Sequence, residues 1–218
     1  MIYEGKNDAF FQIENVDDTN CHLLKEKRKE VLALHWFQTD GNILLIDNVP
    51  FTFNKNDIMF TTEFHTIEVK NVTEVKILRF NKPFYCILDH DSEVGCKGIL
   101  YYGASNLPIA NAQGSDLEIL KTTWRMLSLE MAAQDNLQEE MLQMMLKRIL
   151  IQCTRMYKSS SYYKDADEEQ SGLIRSFNFL VEKHFRTEHS VQAYADLMFK
   201  SPKTLSNSFK KTNNKTPK

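Results

Sequence analysis

The chemistry that stands out in this chain sits close to its C-terminal end, in the run Ser201-Pro202-Lys203-Thr204-Leu205-Ser206-Asn207-Ser208-Phe209-Lys210-Lys211. At helical spacing, Leu205, Ser208 and Phe209 share one face and point inward. Lys203, Thr204, Ser206, Asn207, Lys210 and Lys211 are left to face solvent or a ligand. Hydrogen-bond donors and cations along one edge of a short helix suit a polyanion. A helix of this kind, held by a second helix across a tight turn, fits the major groove of double-stranded DNA. The alternative reading of Thr204 and Ser206 is solvated surface.

The elements that must position this edge are legible on either side of it. Ser190 is a good N-cap, and Val191, Tyr194, Ala195 and Met198 behind it form one apolar face. Ala195 is small where two crossing helices would touch. Ser201 caps the second helix and Pro202 occupies its first position, where a missing amide costs nothing. Asn214 is expected to end it in the left-handed conformation, a role more often taken by Gly, and Pro217 opposes continuation. From Ser171 to Lys218 there are nine Lys or Arg and three Asp or Glu, a local balance of +6. The whole chain carries −2, so residues 1–170 carry −8. A basic end on an acidic body is what an electrostatic hold on phosphates needs.

Ser-Pro-Lys-Thr-Leu-Ser-x-x-Phe-Lys-Lys, followed by Asn-Lys-Thr-Pro, resembles the first helix-turn-helix of AraC-type bacterial transcription regulators, which usually carry Gly-x-Ser-Pro at the latter place. The preceding segment Leu173–Phe185 is similar to that family's leading helix, with Ile174, Phe177, Leu180, Val181, His184 and Phe185 as its apolar stripe. Together these cover about fifty residues of the chain. The resemblance implies that the second helix is the recognition helix, with Lys203, Ser206 and Asn207 facing bases. Lysine can donate to guanine acceptors, asparagine can bridge an adenine edge, and serine is adaptable. Thr204, Lys210 and Lys211 suit phosphate, contacts that position without reading sequence. It also implies an N-terminal cupin-like sensor barrel and a dimerising helical linker.

The departure from that family is large. Its DNA-binding domain has two helix-turn-helix units joined by a long helix, and here the joining helix and second unit are absent. The expectation is a truncated chain that binds DNA weakly or not at all, since lost phosphate contacts cost orders of magnitude in affinity at physiological salt.

The first hundred residues read as short strands at even spacing: Val31–Phe37, Ile43–Asp47, Phe51–Phe53, Ile58–Phe60, Thr66–Lys70 and Val75–Phe80, with turns at Thr39–Asn42, Asn48–Pro50 and Lys55–Asp57. Such spacing suggests a sandwich or jelly-roll barrel. Asn54-Lys55-Asn56-Asp57-Ile58-Met59-Phe60 resembles a cupin turn that has lost its Pro and Gly. His35, His65 and Glu68 are an incomplete metal set, so no metal and no cofactor is expected. His35, Phe37, Phe60, His65 and Arg79 are candidates to line an effector pocket inside the barrel. A polar loop at Asp89–Glu93 and a Tyr101-Tyr102 pair close this part.

Ser115 and Glu118 read as a capping box opening a helix with Leu120, Trp124, Leu127 and Met131 on one face. Asp135 or Asn136 opens a second, with Leu137, Met141, Met144, Met145, Ile149, Cys153 and Met156 along it and Leu142, Leu146 and Leu150 widening the stripe. So broad a surface exceeds what one barrel face covers, and predicts a homodimer through residues 116–158. The polar run 159–170 reads as a linker. The fold class is therefore α+β: a cupin-like β-barrel (jelly roll) over 1–112, a helical dimerisation region and linker over 113–170, and a first helix-turn-helix subdomain over 171–218.

At 42% apolar and 11% aromatic residues the chain can bury an ordinary core. Apolar runs are too short to span a membrane, the N-terminus has no apolar signal core, and Cys21, Cys86, Cys96 and Cys153 fall at scattered spacings, so a reduced, cytoplasmic setting is expected. Nucleophile elbows, phosphate loops and paired-acid motifs are not found. The leading expectation is a DNA-binding transcription regulator with an unidentified small-molecule effector. The alternatives are a ligand-binding or dimerisation adaptor and a cupin-type enzyme.

Overall fold

The computed structural model describes residues 1–87, 99–101, 107–160 and 168–213. The Asp89–Glu93 loop, Cys96, Tyr102, Asn214, Pro217 and most of the expected linker lie outside the described residues. Among the described residues nine strands come first: β1 Ile2–Glu4, β2 Phe10–Asp17, β3 Val31–Phe37, β4 Asn42–Ile46, β5 Val49–Phe53, β6 Asp57–Thr61, β7 Ile67–Asn71, β8 Glu74–Asn81 and β9 Ile109–Asn111. Five described α-helices follow: α1 Gly114–Glu130, α2 Gln138–Ser159, α3 Glu168–His184, α4 Val191–Leu197 and α5 Pro202–Asn213.

The strands form two antiparallel sheets, a six-stranded one in the order β1-β2-β8-β3-β6-β9 and a three-stranded one in the order β5-β4-β7. Among the described residues the sheets stay separate, so the architecture is an open α+β arrangement instead of a closed barrel. Strands β1, β2 and β9 were not expected from the sequence. The pairing of β2 with β8, from Phe11 opposite Phe80 to Asp17 opposite Glu74, builds the middle of the larger sheet.

The strand period of two divides the larger sheet between two cores. Leu34 and Trp36 of β3, Ile58 and Phe60 of β6, and Leu78 and Phe80 of β8 face α1 and α2. Phe37, Met59, Val75 and Ile77 face the smaller sheet, where they meet Leu44, Ile46 and Phe53. The turn between β4 and β5 places Asp47 at φ 52° and Asn48 at φ 67°, the two-residue hairpin for which Asp and Asn are suited. The turn thus lies earlier than expected, and Pro50 sits inside β5. An edge strand tolerates this because the missing amide would face outward. Asn56, at φ 70°, takes the left-handed place of the glycine missing from the cupin-like turn, and Asp57 accepts from the Asn54 amide at 2.7 Å.

Helices α1 and α2 cover the larger sheet. Leu120, Trp124 and Leu127 of α1, and Leu142, Met145, Leu146, Ile149, Leu150, Cys153 and Met156 of α2, are buried there. Most of the broad apolar stripe therefore packs within the chain. Apolar side chains left outward are Ile119, Met126 and Leu129 on α1, with Met141 and Met144 on α2 and Leu137 just before it. The capping box is not formed. Helix α1 starts at Gly114, with φ 51°, Gln113 stands at the N-cap without a side-chain bond, and Glu118 pairs with Lys121 at 3.0 Å. Neither Asp135 nor Asn136 caps the next helix: Leu137 stands at its N-cap without a side-chain bond, and Asp135 accepts from the Leu137 amide at 2.8 Å in the turn before it. Among the described residues, no helix is long and apolar enough to cross a membrane.

Candidate nucleic-acid interface and ligand cleft

Helices α3, α4 and α5 make a unit with its own core. Phe177 of α3 meets Tyr194 edge-on at 5.4 Å and Phe209 at 5.1 Å. Ala195 and Leu205 are fully buried beside them, the small side chain allowing α4 and α5 to cross closely. The Tyr194 hydroxyl donates to the Glu188 carbonyl at 2.9 Å, anchoring the segment before α4.

Both caps form. The Ser190 hydroxyl accepts from the Ala193 amide at 3.2 Å, and the Ser201 hydroxyl accepts from the Thr204 amide at 3.1 Å. Between them α4 ends in a full Schellman arrangement. The Lys200 amide donates to the Ala195 carbonyl at 2.9 Å and the Phe199 amide to the Asp196 carbonyl at 3.0 Å. The left-handed residue this requires is Phe199, at φ 53°, where glycine is the usual occupant. Phe199 is 94% exposed. A phenylalanine is not a turn signal, so sequence alone gives no sign of this position.

With Leu205 and Ser208 buried and Phe209 half-buried, α5 turns its other face outward. Lys203, Thr204, Asn207 and Lys210 are exposed and Ser206 is half-exposed. Thr204 has a prior engagement, its hydroxyl lying 2.9 Å from that of Ser201. The side chain of Lys211 lies outside the described residues.

The five residues expected to line an effector pocket do not form one lining. Phe37 stacks on Phe53 with centroids 4.3 Å apart and fills the space between the sheets. Phe60 points to the opposite face of its sheet, edge-on to Tyr101 at 5.7 Å. His35, His65 and Arg79 do come together, around a cavity of only about 30 Å³, too small for an organic effector. The Nδ1 of His65 accepts from the Thr62 amide at 3.1 Å. Among the described residues, no group of three His, Cys, Asp or Glu side chains is placed to hold a metal ion. Cys21 and Cys153 are free thiols; burial pushes the Cys153 thiol well above its ordinary range.

A far larger space opens between the sheet region and α3. This cleft of about 850 Å³ has Leu32, Phe64, Tyr85 and Ile87 on one wall and Phe177, Val181 and Phe185 on the other. Lys29, Lys82 and Arg186 stand in it beside Glu30 and Glu63. Phe64 is 73% exposed and Phe185 50% exposed, so the cleft holds large apolar surface that the fold leaves uncovered. Its size is that of an ordinary small-molecule site. The lining comes from segments far apart in the chain, which is why sequence spacing gave no sign of it.

No known family's sequence model matches the chain, and no curated protein matches it in sequence. Solved structures do align with it, at low sequence identity. ToxT from Vibrio cholerae O395, bound to (E)-4-(8-methylnaphthalen-1-yl)but-3-enoic acid, aligns with a TM-score of 0.38 and 10% identity over 95% of this chain and 96% of its own. The AraC-like transcriptional activator CuxR aligns with a TM-score of 0.41 and 10% identity over 93% of this chain and 68% of its own. ToxT from V. cholerae strain SCE256, bound to an unsaturated fatty acid, gives 0.36 and 11% over 99% and 95%.

Proposed function

We propose that this chain is a DNA-binding transcription regulator in which α5 enters the major groove and the cleft beside α3 receives a small amphipathic effector. The observation that carries the first part is the outward face of α5. Lys203, Asn207 and Lys210 stand free on a capped helix whose other side is locked into a three-helix core. Lys203, Ser206 and Asn207 are assigned to base edges. Thr204, Lys210 and Lys211 are assigned to phosphates. A single recognition helix makes few phosphate contacts, so binding through this unit alone is weak and falls steeply with salt.

Two copies joined through the uncovered side chains Ile119, Met126, Leu129, Met141 and Met144 would address two half-sites and recover affinity. Exposed apolar side chains in this number on one helical pair support that pairing.

The cleft's chemistry selects the effector class. Apolar walls favour a hydrocarbon or aromatic body, and Lys29, Lys82 and Arg186 favour an anionic head. Because sheet and helix each supply a wall, a bound molecule would bias how α3, and with it α5, is presented.

The test has two arms. Fluorescence anisotropy with a pool of random duplexes, followed by selection, measures whether a preferred sequence emerges and whether affinity falls linearly with the logarithm of salt. Failure to enrich any sequence with a chain shown to be dimeric sinks the DNA reading. Separately, calorimetry with a long-chain carboxylate and its methyl ester reads the cleft. The acid should bind and the ester should not, and Lys82→Ala with Arg186→Ala should erase the difference. Equal binding of acid and ester refutes the cationic head site.

A further inference from the structure

Two lysines and an arginine line a hollow beside α1, and the function proposed above uses none of them. The hollow lies between β2, β8 and α1 and encloses about 360 Å³, within the range of small-molecule sites. Lys76 of β8 stands opposite Asn15 of β2 on one side and Trp36 of β3 on the other. Alternation along β8 puts it on the same face as Leu78, the face that α1 and α2 cover. A cation here interrupts the apolar pattern of that face.

The Lys76 ammonium rests on two indoles, 5.1 Å from the Trp36 ring centroid and 5.8 Å from that of Trp124. Cation–π attraction holds it there. Among the described residues it forms no ion pair. Partial burial is the main cause that lowers its proton affinity; Glu74 opposes this and Lys121 adds to it. Lys121 and Arg125, four residues apart on one face of α1, reach the same hollow. Arg125 is exposed and also lacks a carboxylate partner among the described residues. Lys121 pairs with Glu118 at 3.0 Å, with side chains 53% and 72% exposed, a pairing that holds weakly in water. Glu14, the carboxylate that lines the hollow, lies 3.3 Å from the Met1 amino group. The three cations thus share an open space with no carboxylate placed among them.

That arrangement suits a dianion with three oxygens. A guanidinium and two ammoniums match a phosphate head, whereas a carboxylate has only two oxygens and would leave a donor unmatched. The rest of the lining suits a hydroxylated body. The Asn15 side chain is exposed and free to bond a hydroxyl. Ser128 donates to the Trp124 carbonyl at 2.9 Å and keeps its oxygen as an acceptor. Ile13 and Trp124 supply an apolar floor.

We propose that this hollow binds the phosphomonoester of a small polyhydroxylated molecule, of the sugar-phosphate class, with its phosphate held by Lys76, Lys121 and Arg125. The site shares no lining residue with the cleft beside α3, so the chain has separate places for two different ligands, and neither reading depends on the other.

The test uses the full chain. Its two tryptophans both stand under Lys76, so intrinsic fluorescence reads this site directly. The chain is titrated with glucose 6-phosphate at constant ionic strength, with glucose, gluconate and a short DNA duplex as comparisons. Glucose 6-phosphate should change the emission saturably, and glucose and gluconate should act at least about tenfold more weakly. Lys121→Gln with Arg125→Gln alters only exposed side chains and should raise the midpoint by roughly tenfold or more. Lys76→Met should do the same, read by calorimetry because it changes the surroundings of the indoles. Should that variant fail to fold, the double variant decides alone. An equal response to gluconate, a response that follows ionic strength whatever the solute, or unchanged binding by the double variant overturns the proposal. A duplex that acts as strongly as glucose 6-phosphate assigns the cations to nucleic acid and overturns it as well.

Discussion

Replacing Phe199 with glycine should stabilise the helical unit, although it deletes an aromatic ring. Phe199 occupies the left-handed position that closes α4, at φ 53°, a conformation costing an L-residue about 1–2 kcal/mol. At 94% exposure the ring has almost no packing to lose. Glycine pays about 0.5–1 kcal/mol for the extra freedom of its unfolded chain. The difference leaves Phe199→Gly more stable by roughly 0.5–1 kcal/mol, whereas Phe199→Ala keeps the strain and changes stability by only about a few tenths. For a chain of this size that separates the two variants by about 2–4 °C for each kcal/mol. Amide exchange of α4 and α5 resolves the same difference locally, since those amides open with their own unit. A Phe199→Gly chain no more stable than Phe199→Ala would refute the reasoning: the turn would then not be strained, or the ring would have a partner. If Phe199→Gly also weakens DNA binding, the ring itself touches the nucleic acid.

Asn207→Ala should relax preference at one base pair by about 1–3 kcal/mol, while Lys210→Ala should weaken all duplexes alike and reduce the salt slope by about one, both read by anisotropy across salt concentrations. Leu205→Ala removes a fully buried side chain from a small core and should cost about 2–5 kcal/mol; limited proteolysis should show α3–α5 cut first with the sheets intact. Acid stability should report His35. Its folded pKa of about 3 lies below the ordinary 6.5, so the stability it confers is complete above about pH 6.5 and is lost as pH falls towards 3, by up to about 1.4 kcal/mol per pH unit. A chain with His35→Gln should show a slope shallower by about one proton over that window in denaturant titrations, and an unchanged slope contradicts the assigned neutral ring.

Local signals carried the C-terminal unit. Ser190 and Ser201 cap where their side-chain chemistry requires it, and the 3.6-residue spacing of Val191, Tyr194, Ala195 and Met198, then of Leu205, Ser208 and Phe209, settles which faces turn inward. The strands from Val31 to Phe80 were legible for the same reason, since alternation and turn residues are properties of neighbours in the chain. Three determinations lay beyond that reach. The sequence could show that α1 and α2 have broad apolar faces, but whether a sheet or a second molecule covers them depends on what lies opposite, and β2, missed from sequence, helps build the sheet they cover. Phe60 could not be told from Phe37 as a pocket residue, because a strand's two faces are equivalent until a helix layer and a second sheet take one each. The cleft drawing on Lys29, Lys82 and Arg186, and the cavity joining Arg79 to His35, arise from segments distant in sequence. Sequence periodicity sets which side of an element is apolar; only the packing of elements decides what each side meets and which polar groups are buried together.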